Sequence, residues 1–211
     1  EHEYGKTEMW YVMDCDPGSF LYFGVKQSLS AQDFKERLEN NTVLEVLNRV
    51  EVHQGDVFFI ESGTIHAIGA GIMICEIQQN SNTTYRVYDY DRRGVDGKPR
   101  ELHVEKALAV SKFIPSDTID HQGAASRVGD GTVTPLASCK YFTSDKWELT
   151  GETSFTVQAD SFASLVVLAG SGTLTGIENT VEFQSGDSIF IPANSGEMRL
   201  CGNCTLIKTT I

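Results

Sequence analysis

The sequence has no long apolar run. None of its hydrophobic stretches approaches the roughly 18 to 20 residues of a membrane-crossing helix, and the N-terminus lacks a basic-then-apolar signal pattern. Positive charge is scarce: 17 Lys and Arg stand against 29 Asp and Glu, a formal net charge of −12. A field of that sign repels nucleic acid and anionic membrane. Neither is expected as a partner, and a phosphorylated ligand would need a local basic pocket. Cysteine is sparse and odd in number, at Cys15, Cys75, Cys139, Cys201 and Cys204. That pattern suits a reduced, cytoplasmic protein better than a disulfide scaffold. Cys201-Gly202-Asn203-Cys204 is a single CxxC with no second pair, expected as a strand–turn–strand with two incidental thiols. An initiator methionine is also missing. The chain opens at Glu1-His2-Glu3-Tyr4-Gly5 and soon enters the apolar Met9 to Met13, as a fragment of a longer protein would.

What is present is ordinary for a soluble globular chain: 211 residues, 40% hydrophobic and 22% charged, enough for one large domain or two small ones. Period-2 apolar segments predict strands at 10–13 and 20–24, around the turn Asp16-Pro17-Gly18-Ser19, and at 50–52, 57–60, 72–77 and 85–90. The period changes over Ser30 to Asn41, where Ser30 can cap and Phe34 and Leu38 share a face. That predicts a short helix; a second is expected over Val43 to Val50 and a third over Glu101 to Val110. Residues 115–135 shift to Ser, Asp, Gly and Thr and are expected as a linker. It separates a first domain, 1–114, from a second, 136–211, that is nearly all short strands. The fold class is all-β with a few short helices, a pair of sandwiches or barrels.

The two halves resemble each other. Val50-Glu51-Val52-His53-Gln54-Gly55-Asp56-Val57-Phe58-Phe59-Ile60 lies without a gap on Val181-Glu182-Phe183-Gln184-Ser185-Gly186-Asp187-Ser188-Ile189-Phe190-Ile191. The shared frame Val-Glu-x-x-x-Gly-Asp-x-x-Phe-Ile points to an internal duplication. Where the first copy reaches His66, the second reaches Glu197, and no histidine follows His121. The first copy is therefore expected to hold the chemistry and the second to be structural. His66 follows a glycine turn that can aim it into a barrel mouth. Glu76 and Arg86 lie on period-2 segments that can face the same interior, so an imidazole, a carboxylate and a guanidinium would converge there. His53 and His103 sit in surface-like settings and are given no role; Tyr85, Tyr88 and Tyr90 read as sheet surface.

The stretch Gly55-x5-Glu61-x-Gly63-x2-His66 resembles the second metal-binding motif of the cupins, with Glu61 where proline is usual. A cupin match alone does not name a function. Three further stretches sharpen it: Gly5-Lys6-Thr7-Glu8-Met9-Trp10, Ser62-Gly63-Thr64-Ile65-His66-Ala67, and Gln78 to Arg86 followed by Val87-Tyr88-Asp89-Tyr90-Asp91-Arg92. Together they resemble the type I mannose-6-phosphate isomerases, in the short form of Gram-positive bacteria, over essentially the whole chain. The resemblance implies a double cupin of two jelly-roll-like barrels, the first incomplete at its N-terminus. It implies Zn2+ held by Glu8 and His66 and interconversion of mannose 6-phosphate and fructose 6-phosphate. Arg86, Glu76 and Lys6 are the implied catalytic residues, and Arg92 the implied phosphate ligand.

The chain departs from that family in one respect: the Gln-x-His motif expected upstream of Gly5 is absent, and His2 does not stand in its context. Two of four expected zinc ligands are therefore visible. The alternatives are a catalytically inactive cupin fragment that retains at most weak metal or sugar-phosphate binding and, further off, an iron oxygenase, which would need a second histidine. Strand edges exposed at an N-terminal truncation would favour self-association.

Overall fold

The computed structural model describes residues 4–90, 92–116 and 122–211. They fall into two compact units, Glu1–Ile119 and Asp120–Ile211. The first contains β1 (Glu8–Cys15), β2 (Phe20–Val25), helix α1 (Ala31–Glu39), β3 (Leu47–Glu51), β4 (Val57–Ile60), β5 (His66–Ile68), β6 (Ile72–Gln78) and helix α2 (Val104–Val110). Two antiparallel sheets, β4-β1-β6 and β3-β2-β5, share one core in which Trp10, Val12, Leu21, Phe23, Val50 and Phe58 are buried. Burying such side chains is worth about 1.5–3 kcal/mol each, and the two-residue period of a strand puts Trp10 and Val12 on one face of β1 and Leu21 and Phe23 on one face of β2. A second cluster, Val25, Phe34, Val43, Val46 and Leu47, packs with Leu108 and Phe113 and fixes the helices to this unit.

The helix predicted from Ser30 is formed. Ser30 Oγ accepts from the Asp33 backbone N–H at 3.0 Å while the Asp33 carboxylate accepts from the Ser30 N–H at 3.2 Å, a reciprocal cap. The helix expected over Val43 to Val50 is not. It is a single 3₁₀ turn at Val43–Glu45 followed by β3; the buried Val43, Val46, Leu47 and Val50 have the spacing of a helical stripe, but the pairing of Leu47–Glu51 with β2 selects strand. The third helix is shorter than expected, beginning at Val104.

The second unit contains β7 (Ser126–Val128), β8 (Gly131–Ser138), β9 (Thr143–Val157), β10 (Ala163–Thr175), β11 (Thr180–Gln184), β12 (Ser188–Ile191) and β13 (Gly196–Thr210). They form one antiparallel sheet, β11-β10-β13-β9-β8-β7, with β12 also on β10. Its core includes Trp147, Leu149, Leu165, Val167, Leu200 and Leu206. The segment expected as a linker is thus partly strand. The hairpin β7–β8 turns at Gly129, and its small polar residues suit the sheet edge they occupy. The turn expected inside the CxxC is also absent, since β13 runs straight through it. Cys201 is exposed and Cys204 buried, as residues three apart on a strand must face opposite ways.

The duplicated frame is the same object in both units. Gly55 and Gly186 adopt φ of 96° and 93°. Asp56 Oδ2 accepts from the His53 N–H at 2.7 Å, and Asp187 Oδ2 from the Gln184 N–H at 2.8 Å. The turns dock on Val12 and Val167 through matching backbone bonds: Gly55 N–H to Val12 O and Gly186 N–H to Val167 O, both 2.9 Å. Glu8 pairs with Ile60 as Ala163 pairs with Ile191, and Trp10 pairs with Glu76 as Leu165 pairs with Lys208. Leu21 pairs with Ile68 and Leu174 with Leu200, so counting back along each strand puts Met198 opposite His66. The second copy carries one more residue in this loop than the first, and buried Met198 replaces the Glu197 expected from the ungapped alignment.

An alanine at position 186 meets no atom within 4 Å, so only its backbone conformation opposes it. Gly186→Ala is expected to lower stability by about 1–3 kcal/mol with the native sheet retained, measured by urea unfolding followed through tryptophan fluorescence.

Candidate active site

β1 opens on Glu8, whose side chain is fully buried. A lone carboxylate there would be strongly disfavoured. Three neighbours stabilise it: Lys6 Nζ donates to Oε2, Trp10 Nε1 donates to the same oxygen at 3.2 Å, and His66 Nε2 lies 3.2 Å from Oε1. Trp10 shares the face of β1 with Glu8 at two-residue spacing, and Lys6 stands two residues before the strand begins. His66 comes from the loop after β4, where Gly63 has a φ of 89° and a Cβ would lie 2.6 Å from the Val110 carbonyl. Only glycine lets the loop pass there. The loop is tied on the other side by the Lys112 N–H to Gly63 O at 2.9 Å.

The contacts of His66 fix one of its two nitrogens. Nδ1 lies 2.8 Å from the Thr64 carbonyl, which can only accept, so Nδ1 carries a hydrogen. Nε2 faces Glu8 Oε1, a buried oxygen without a hydrogen-bond partner. The two atoms, 3.2 Å apart, are joined by a proton on Nε2 or by a cation held between them. A histidine with its second nitrogen fixed on a carbonyl is the usual posture of a metal ligand.

Glu76 joins through Lys6, whose ammonium also donates to Glu76 Oε1. Burial pushes the Glu8 carboxyl up, but the contacts with His66, Glu76 and Lys6 outweigh it and bring it down to about 2. The Glu76 carboxyl moves the other way, raised first by its own burial and then by Glu8, with Lys6 opposing. Burial would lower Lys6, and the two carboxylates reverse that. The two acids therefore differ: Glu8 holds its charge and Glu76 more readily takes a proton.

Arg86 closes the group. It lines one cavity of about 510 Å³ together with Lys6, Glu8, Thr64 and His66. The segment carrying it is not the strand expected over Tyr85 to Tyr90. Gln79 accepts from the Thr7 N–H at 2.8 Å, and Ser81 donates to the Tyr4 carbonyl at 2.7 Å, so side chains rather than a ladder fix its path. Arg92 is not brought to the cavity, contrary to expectation. Its guanidinium donates to Asp89 at 2.7 Å, and Arg100 binds the same carboxylate at 2.6 Å, holding the Asp89 carboxyl well below its usual range although burial opposes this. His2 lies outside the described residues. Sequence reasoning missed Trp10, legible as a same-face neighbour of Glu8, and His103, whose contact with Arg86 no local pattern signals.

The comparisons with known proteins agree with one another. The family described as "Mannose-6-phosphate isomerase, cupin domain" matches residues 132–211. The mannose-6-phosphate isomerase ManA of Bacillus subtilis is 39% identical over 200 residues, covering 95% of this chain and 62% of that protein. The crystal structure of the mannose 6-phosphate isomerase from Bacillus subtilis superposes with a TM-score of 0.91 at 32% identity, covering 99% of this chain and 66% of that one. A zinc-bound mannose 6-phosphate isomerase shares the fold, with a TM-score of 0.68 at 17% identity over 97% of this chain and 65% of that one. The chain spans 62% of the length of the first of these relatives.

His66 is expected as the Nδ1–H tautomer in long-range 1H–15N spectra, with added zinc shifting Nε2 and leaving Nδ1–H in place. Glu8→Gln keeps an oxygen for Trp10 but removes the charge, and should weaken zinc binding by roughly 10- to 100-fold or more in a chelator competition. Equal affinity would remove Glu8 from the ligand set.

Proposed function

We propose, on the premise that the chain belongs to the mannose-6-phosphate isomerase family, that its first unit carries the site of an aldose–ketose isomerase. Its substrates are D-mannose 6-phosphate and D-fructose 6-phosphate. One observation carries the reading: Lys6, Glu8, His66 and Arg86, two cations and two metal-ligating side chains, line a single cavity.

Zn2+ suits the donor pair, since the unpartnered Glu8 Oε1 and His66 Nε2 already face each other. These two would hold it, where zinc sites take three or four protein ligands; among the described residues no group of three candidate ligands occurs. When bound, the ion supplies a Lewis acid that polarises the carbonyl and hydroxyl oxygens of the open-chain sugar.

The protein's own groups account for the rest. The aldose loses its C2 proton to a base; the C–H electrons form the C1–C2 double bond while the C1=O π electrons move onto O1, which takes up a proton to give the cis-enediol. A proton returned to C1 from the C1–C2 π electrons, with loss of the O2 proton as C2=O forms, gives the ketose. Glu76, tied to the cavity through Lys6, is the proposed proton carrier. Arg86 stays protonated throughout and offers fixed donors to the oxygen on which negative charge develops.

The small pool of ligands favours a second reading, a folded cupin unit without turnover. Zinc content, paired with a coupled isomerase assay with and without added zinc, separates the two. The oxygenase alternative is disfavoured, because among the described residues that line the cavity His66 is the one histidine. Among the described residues no helix is long and apolar enough to cross a membrane. A cytoplasmic setting, partners limited to a small sugar phosphate and to self-association, and the absence of nucleic-acid or membrane partners remain part of the proposal, on the net charge of −12 and the cysteine pattern.

Arg86→Met is expected to lower kcat by roughly 10²–10³-fold with a smaller change in KM for mannose 6-phosphate. Wild-type kcat in that variant would remove the guanidinium from the transition state.

A further inference from the structure

We propose that His103 is a positioning residue for Arg86, acting through the Arg86 backbone; this rests on the isomerase reading of the site. Arg86 lies in the stretch between β6 and α2, most of which is neither helix nor strand, so no ladder sets the direction of its side chain. His103 grips that backbone from both sides. Its own N–H donates to the Arg86 carbonyl at 2.7 Å, and its ring Nδ1 accepts from the Arg86 N–H at 3.2 Å. Two residues earlier, the Glu101 carbonyl accepts from Arg86 Nη1 at 3.1 Å. The ring of His103 also lies 6.0 Å from that of Tyr85, centroid to centroid.

A second observation points the same way. His103 is the N-cap of α2, where a side-chain acceptor normally turns back to a free N–H of the first helical turn. Its side chain makes no such bond. The acceptor is turned instead to Arg86, so the start of α2 remains uncapped by it while Arg86 is held. The same helix presents Ala107 and Val110 to the cavity, and thus His103 ties the arginine to the wall it works against. The interaction requires Nδ1 to be the unprotonated nitrogen, with the ring hydrogen on Nε2.

Because the requirement is one acceptor atom at the γ branch, two substitutions distinguish positioning from bulk. His103→Asn keeps an acceptor, Oδ1, bonded to Cγ as Nδ1 is. His103→Phe keeps the ring and its contact with Tyr85 but has no acceptor. With the full chain and zinc, His103→Phe is expected to lose roughly 10- to 100-fold in kcat, with KM for mannose 6-phosphate nearly unchanged and a native melting transition. His103→Asn should recover most of that loss. Exchange of the Arg86 amide hydrogen, followed by NMR, should be slow in the wild type and in His103→Asn and fast in His103→Phe. Wild-type kcat in a folded His103→Phe overturns the proposal, as does a His103→Asn variant no better than His103→Phe. If the unmodified chain shows no turnover, the isomerase reading fails separately. The amide then decides alone: loss of protection in His103→Phe with retention in His103→Asn sustains the positioning, and equal exchange overturns it.

Discussion

The buried carboxylate of Glu8 is the constraint on which the first unit's site depends. An ionised group at zero exposure is tolerated only if its partners come to it, and each partner is delivered by a different piece of the fold. Trp10 arrives with β1 by simple alternation, and Lys6 from the residues just before that strand. His66 arrives only if the loop after β4 bends at Gly63 and is tied to the end of α2. One oxygen is still left without a hydrogen bond, 3.2 Å from Nε2 of His66. A purely structural carboxylate would gain stability by closing that gap, since an unmet buried acceptor costs about 1–3 kcal/mol. The proposed metal site would satisfy that oxygen.

The second unit is the internal control. It repeats the Gly-Asp turn, its side-chain bond and its docking on the neighbouring strand, yet at the three positions that matter it has Ala163 for Glu8, Met198 for His66 and Lys208 for Glu76. Ala163 and Met198 belong to its apolar core. Lys208 lies over the rings of Trp147 and Phe155 at 5.7 and 5.6 Å, its ammonium lowered by burial with Asp145 opposing. The frame therefore forms without the charged group, whereas the charged group needs the frame. This asymmetry separates what the duplication preserves, which is backbone geometry, from what it does not.

The sequence disclosed these relations unevenly, for physical reasons. Strand alternation and the repeated turn are local, and so the sheets, the duplication and the facing of Glu8 and Trp10 could be read directly. His66 could be read because a glycine turn precedes it. Residues 43–50 misled because four buried apolar side chains stand at helical spacing, while the pairing of 47–51 with β2 chose strand. Residues 126–138 misled because small polar residues mark both linkers and edge strands. His103 was invisible: its role depends on a contact across 17 positions, set by where α2 begins.

Arg92 illustrates the limit of placing a residue by its neighbours in sequence alone. A free arginine beside a sugar-phosphate site is an attractive anion ligand, more so in a chain with a net charge of −12. Asp89, however, is buried and accepts from both Arg92 and Arg100. Breaking that cluster to bind a phosphate would leave a buried carboxylate with one fewer cation, a change that disfavours the shared use of Arg92. The two arginines instead hold the residues just after Arg86, much as His103 holds the residue itself. Of the cations considered, those left facing the cavity are Lys6 and Arg86. Lys6 is itself shared there between the Glu8 and Glu76 carboxylates.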